Sequence, residues 1–263
     1  MSSLLAIEWL KLKRYNTFWI LICFFIVLLP LWNYCILSGG INVSGNGMKL
    51  INQTYSFPGV WGNIGFWGSL FVVLLSILII ILTANEFTFR THRQNVIDGW
   101  SRLQFFHAKI LLVFAFSVAA TVYVFILGAI FGYANSGSFS SMFEGVEKVF
   151  YFFLFSLNYL GFALLASIVI RRSGLSIGMF LLYIFIIKNI LKGVLNFTNN
   201  DWNVGNYLPL QSCSELLPFP LFEMLKGLMK QGPQPTTAYV LASIAWAIIY
   251  YFAGRGILLK RDW

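Results

Sequence analysis

Six stretches of this chain are apolar for long enough to cross a lipid bilayer, and that constraint comes before any other. A hydrocarbon core about 30 Å thick needs about 20 apolar residues in a helix. Inside it, every backbone N–H and C=O must be paired within the protein. The runs 17–37, 66–84, 110–133, 149–170, 173–191 and 238–259 have the length. They are continuous rather than alternating, which selects helices over a barrel. Charged residues make up 10% of the 263 and hydrophobic residues 59%, against about 25% charged in a soluble domain. The expected fold is all-α: a polytopic membrane protein with six transmembrane helices, forming one domain over 1–263.

The segments between these runs carry their own signals. Residues 1–16 mix Glu8, Lys11, Lys13 and Arg14 with Leu4, Leu5, Ile7, Trp9, Leu10 and Leu12, as expected of an amphipathic interfacial helix with Trp9 at headgroup depth. No small-x-small cleavage site follows, so the segment reads as retained rather than as a signal peptide. Pro30 is expected to kink or end the first span. The Gly-, Asn- and Ser-rich stretch 38–65 reads as an outer loop. Gly128 with Gly132, and Gly174 with Gly178, have the G-x-x-x-G spacing that lets helices approach closely. Arg171 and Arg172 force an immediate return into the bilayer, because guanidinium groups in hydrocarbon are costly. Lys188, near the end of the fifth span, is expected to snorkel to the interface.

The connection 192–237 contains one patterned piece. Leu221, Phe222, Met224, Leu225, Leu228 and Met229 share a helical face. Pro218 and Pro220 precede it, and Gly232-Pro233 follows. Ten residues reach about 15 Å, half the hydrocarbon thickness, so 221–230 is expected to be a short outer amphipathic or re-entrant helix. The three cysteines, Cys23, Cys35 and Cys213, lack metal-ligand spacing. A Cys35–Cys213 pairing stays open in the absence of a geometry for it.

The most polar internal stretch is 85–109, NEFTFRTHRQNVIDGWSRLQFFHAK. Thr91 with Gln94 and Ser101 with Gln104 both fit the capping box, in which a hydroxyl and an amide satisfy N–H groups at a helix start. Gly99 lies between them, where a helix end often needs a left-handed residue. The expected structure is a short helix of about two turns, a glycine break, and a fresh helix entering the membrane. Arg90, Arg93, Arg102 and Lys109 outnumber Glu86 and Asp98, so the island should face the cytoplasm. The rest of the chain agrees. With both termini inside, twelve basic residues lie inside (Lys11, Lys13, Arg14, Arg90, Arg93, Arg102, Lys109, Arg171, Arg172, Arg255, Lys260 and Arg261). Six lie outside (Lys49, Lys148, Lys188, Lys192, Lys226 and Lys230).

Several chemistries are missing. There is no G-x-x-x-x-G-K-[ST] phosphate loop and no H-E-x-x-H metal helix. The two histidines, His92 and His107, both fall in the island and read as interfacial polar residues. The span interiors hold no Asp, Glu or Arg of the kind ion-coupled carriers place near the midplane. The formal net charge of +9 sits at span ends and requires no nucleic acid partner. The expectation is a chain that is not an enzyme and binds no cofactor or metal of its own. A membrane-anchored accessory or assembly protein with a soluble partner is an open alternative, and a secondary carrier a weaker one.

Two short pieces carry a family resemblance. They are Glu8-Trp9-Leu10-Lys11-Leu12-Lys13-Arg14, and Glu86 to Arg102 with its Arg90-Thr91-x-Arg93-Gln94 and Asp98-Gly99-x-Ser101-Arg102 portions. With the layout of interfacial helix, six spans and a capped helix between spans two and three, the chain resembles the export-type (type 2) permeases of ATP-binding-cassette (ABC) transporters. The resemblance implies that the segment between spans two and three is a coupling helix docking into a separate ATPase subunit. ATP and Mg would bind in that subunit, present in two copies, and a second permease copy, identical or homologous, would complete the transporter in the cytoplasmic membrane. The interface residues so implied are Glu86, Arg90, Thr91, Arg93, Gln94, Val96, Ile97, Asp98, Gly99 and Arg102. The resemblance names no substrate.

Overall fold

The protein was analysed as a computed structural model, which describes residues 2–38, 54–89, 91, 99, 101–139, 141–198, 203–220 and 235–260, with side chains from Glu8 onward. All regular structure among the described residues is helical: α1 (Ser2–Lys13), α2 (Asn16–Leu37), α3 (Val60–Thr88), α4 (Arg102–Ser136), α5 (Glu147–Ile170), α6 (Ser173–Thr198), a 3₁₀ turn at Val204–Tyr207, α7 (Gln211–Glu215) and α8 (Thr236–Lys260). Six of them, α2 to α6 and α8, are long and apolar enough to cross a membrane. The all-α polytopic architecture is therefore the one the apolar runs require.

The core is built on α3 and α5. In each, 56% of the most apolar window is buried, against 22% to 33% in the other four. α5 packs against α3, α4 and α8, while α3 also meets α2, α4 and α6. Leu29, Ile64, Val72, Leu78, Ile80, Leu160 and Ala163 are fully enclosed. Helices with apolar residues all round are those that a bundle surrounds, and α3 is apolar along most of its length.

Several expected boundaries shift. α2 continues through Pro30 and ends at Leu37. The stretch 60–65 is not loop but the first turns of α3, with Val60, Trp61 and Ile64 buried. Its polar residues are satisfied locally: Asn63 Nδ2 donates to Thr54 Oγ1 at 2.7 Å, and Trp61 Nε1 donates to the Met142 carbonyl at 2.9 Å. α6 runs beyond 191 to Thr198 and contains a π turn at Tyr183–Ile187.

The glycine pairs separate into two kinds. At Gly128 an added Cβ would lie 2.5 Å from the Trp61 ring, and at Gly132 it would lie 2.4 Å from the Phe57 ring. These glycines receive aromatic rings rather than a neighbouring helix backbone. Gly174 and Gly178, expected to be a packing pair, are exposed and meet nothing within 4 Å. Among the described residues they pack against nothing.

The connection after α6 is folded into the bundle. Leu210 and Cys213 are fully buried. Ser243 donates to Ser212 at 3.3 Å, Asn206 to the Tyr239 hydroxyl at 3.1 Å, and Trp246 Nε1 to the Tyr207 carbonyl at 2.9 Å. Trp246 lies ten residues into α8, about 15 Å along it, so this irregular backbone descends among the helices. Such backbone is tolerated at membrane depth when protein covers it. The expected amphipathic helix 221–230 lies outside the described residues. Cys35 and Cys213 are free thiols.

The charged ends of several helices meet on one face of the bundle. Arg102, at the start of α4, donates to the Leu259 carbonyl at 3.3 Å, and Glu8 of α1 reaches α4 through Lys109. Both ends of the described chain therefore lie on the face that carries the 89–101 connection.

Candidate functional site: a charged junction under the 89–101 connection

α1 does not present a simple apolar face to the bundle. Glu8 and Leu12, one helical turn apart, point inward and are buried, while Trp9 and Leu10 point outward. The interfacial helix is thus anchored by an acid as well as by a leucine. On α4, Phe105, Lys109 and Leu112 share the buried face, and the Lys109 side chain is 2% exposed. On α3, Glu86 lies two residues before the helix ends at Thr88.

These three elements meet at Lys109. Its Nζ donates to Glu8 Oε2 at 2.7 Å and to Glu86 Oε1 at 2.8 Å. Lys11 Nζ closes the cluster from the rim, 3.3 Å from Glu8 Oε1 and 3.2 Å from Glu86 Oε1. Beside it, Asn85 Nδ2 donates to the Tyr15 hydroxyl at 3.1 Å. Two carboxylates and two ammonium groups balance, which permits charge to be buried at all. Burial pushes the Glu8 carboxyl upward, but Lys109 and Lys11 outweigh it and hold Glu8 below the ordinary carboxylate value.

The contributions are unequal. Lys11 is partly solvated, and pairs of that kind contribute about 0–1 kcal/mol. Removing one member of a buried pair leaves the other charge uncompensated, at about 3–5 kcal/mol. The Glu8–Lys109–Glu86 bridge therefore dominates, and it ties the N-terminal helix to the roots of both helices flanking the 89–101 connection.

Of the residues expected to face a partner, Glu86 contributes Oε1 to this internal bridge. The reason is Lys109, brought against it by the return of α4. Arg102 is half-buried and donates to Leu259, fastening the last turn of α8. Thr91 is exposed, and its hydroxyl donates to the Glu86 carbonyl at 3.4 Å. Gly99 has φ +93°, the positive value anticipated for it. The Ser101–Gln104 capping box forms in both directions, at 3.2 Å and 2.8 Å. Arg90, Arg93, Gln94, Val96, Ile97 and Asp98, the completion of the Thr91–Gln94 box, and His92 lie outside the described residues. His107 Nε2 is 3.1 Å from the Tyr251 hydroxyl.

Two further groups frame the junction. Arg171 ends α5 in the left-handed conformation at φ 58°, with its guanidinium 5.2 Å from the Phe87 ring centroid. Thr88 Oγ1 is 3.5 Å from the Arg171 carbonyl. The dibasic turn therefore touches the last two residues of α3, directly before the connection. Glu8 and Lys109 were the residues whose pairing sequence reasoning missed. The available signal was an acid at i−4 from Leu12 and a lysine at i+4 from Phe105, charges on otherwise apolar faces.

Among curated proteins, none matches the chain. Residues 46–263 match the model of a family described as Protein of unknown function (DUF2705), and the chain belongs to that family.

Proposed function

We propose that the chain is the membrane-spanning permease subunit of an ABC transporter. In this reading a separate ATPase docks on the 89–101 connection, with both termini of the permease in the cytoplasm. One observation supports it above others: the Glu8–Lys109–Glu86 bridge fixes the roots of α3 and α4 to each other and to α1. A force applied at the connection then moves helix ends as a unit instead of being absorbed by a loose loop. ATP-driven closure of the ATPase pair would bias the bundle between two packings. The basic balance of the island and the absence of a nucleotide motif agree with a partner that supplies the energy.

The test is co-purification with an ATPase subunit and the ATP turnover of the complex in membranes. Val96→Asp with Ile97→Asp places two charges on the docking segment outside every span. That variant is expected to reach the membrane but to lose the ATPase subunit. Normal retention and normal turnover would overturn the reading.

A further inference from the structure

A second cation is buried in this bundle, remote from the charged junction. Lys188 directly follows the π turn Tyr183–Ile187, a feature that offsets helix register and is frequent at functional sites. It lies 15 residues into α6, about 22 Å along the helix, and does not snorkel to water as expected. The residue is 7% exposed. Its Nζ donates to the Tyr159 hydroxyl at 3.0 Å and to Ser214 Oγ at 3.1 Å, and lies 5.6 Å from the Tyr159 ring centroid.

Both partners are neutral, and among the described residues no carboxylate forms an ion pair with Lys188. The carboxylate nearest in the chain to Ser214, that of Glu215, is engaged by Lys192 and by Gln211 Nε2. A buried ammonium without a counter-charge is costly. The opposite arrangement holds at the other end of the bundle, where Lys109 meets two carboxylates.

Lys188 also borders a groove of about 240 Å³ between α3, α5 and α6. Leu70, Val73, Phe155, Ile184 and Phe185 form its apolar walls, and Ser69, Asn189 and Ser214 are part of its polar lining. At its rim, Leu70 and Phe185 are exposed on the bundle surface. The volume is below the roughly 300–1,000 Å³ of sites that enclose a drug-sized ligand. It suits a headgroup and the start of a tail, the remainder lying along the outer surface.

We propose that this groove binds an anionic amphiphile, its phosphate or carboxylate on the Lys188 ammonium and its aliphatic tail against Leu70, Val73, Phe155 and Phe185. The anion supplies the ion-pair partner that no described residue gives Lys188, with the Asn189 amide as a further donor. A tail is required because a free anion would lose its hydration to enter walls this apolar. Binding is a property of this chain alone and does not rest on the transport reading.

The test is thermal unfolding of the full chain, purified in a non-ionic detergent and titrated with four probes: dodecyl phosphate, phosphatidylglycerol, phosphatidylcholine and inorganic phosphate. A saturable rise in unfolding temperature is expected with dodecyl phosphate, phosphatidylglycerol or both, and with neither of the others. A response to phosphatidylglycerol alone assigns the site to a bilayer lipid, and a response to dodecyl phosphate alone to a single-tailed amphiphile. Lys188→Met should weaken binding about tenfold or more, the scale of one lost hydrogen bond to a charged group, while Lys188→Arg retains it. Leu70→Trp, which leaves the charge intact and crowds the mouth of the groove from an exposed position, should weaken it as well. Equal binding by Lys188→Met or by Leu70→Trp, a phosphatidylcholine or inorganic phosphate response as strong as that of the anionic amphiphiles, or no saturable response at all would overturn the proposal.

Discussion

Lys109 Nζ lies 2.7 Å from Glu8 Oε2, joining residues 101 positions apart in the chain. The same ammonium holds Glu86 at 2.8 Å, so one lysine fastens the first helix to both helices that flank the 89–101 connection. Deleting that lysine leaves two carboxylates facing each other in a buried site. Lys109→Met is expected to destabilise the protein by about 3–5 kcal/mol, read as a lower unfolding temperature in detergent. Lys11→Ala, at the solvated rim, should change stability by no more than about 1 kcal/mol. Similar losses in the two variants would show that the bridge does not dominate the junction.

The junction should also be acid-sensitive. Glu8 is held below its ordinary value of 4.5 by Lys109 and Lys11, against the opposing effect of burial. A depressed carboxylate contributes stability that is fully present above its unfolded value and lost as pH falls through the folded one. Unfolding temperature should therefore hold steady above about pH 4.5 and decline below it. Glu8→Gln should start lower at neutral pH and show a shallower decline. An acid limb of unchanged steepness in Glu8→Gln would assign the loss to other groups.

The two glycine pairs should respond in opposite ways. Gly128→Ala drives a methyl group to 2.5 Å from the Trp61 ring, and overpacking of this kind costs about 1–3 kcal/mol. Gly178→Ala enters open space on α6 and also improves helix propensity by about 0.5–1 kcal/mol. Unfolding temperatures of the two variants, measured in the same detergent, should fall on either side of the parent. If Gly178→Ala is as damaging as Gly128→Ala, α6 is packed against something outside the described residues.

Membrane orientation is open to chemical labelling. With both termini inside, Asn95→Cys in a variant lacking Cys23, Cys35 and Cys213 should resist an impermeant maleimide in intact cells and react after permeabilisation. Ready labelling from outside would reverse the orientation on which the docking proposal depends.

The six spans, the glycine with positive φ at 99 and the Ser101–Gln104 capping box were all legible in the sequence. Each is decided within a few residues, by hydrocarbon thickness in the first case and by helix-end hydrogen bonding in the others. Even there the boundaries moved. The start of α3 moved to Val60 because Phe57, Met142 and Gly128 enclose Trp61, which no local pattern around residue 60 discloses. The candidate site was half legible: the basic connection stood out, but the internal bonds of Glu86 to Lys109 and of Arg102 to Leu259 did not.

What the sequence by itself determined is that this chain must cross a membrane as helices, because only apolar length and local backbone pairing enter that decision. Which charges are buried, and with whom, was decided by the tertiary structure. Lys109 and Lys188 are both lysines near the ends of apolar runs, indistinguishable by local rules. One returns against α1 and α3, where Glu8 and Glu86 wait 101 and 23 positions away. The other is turned inward beside a π turn, where the hydrogen-bond partners among the described residues are hydroxyl groups. The difference arises from helix placement, since a buried charge takes its partners from whatever the packed bundle brings within a few ångströms.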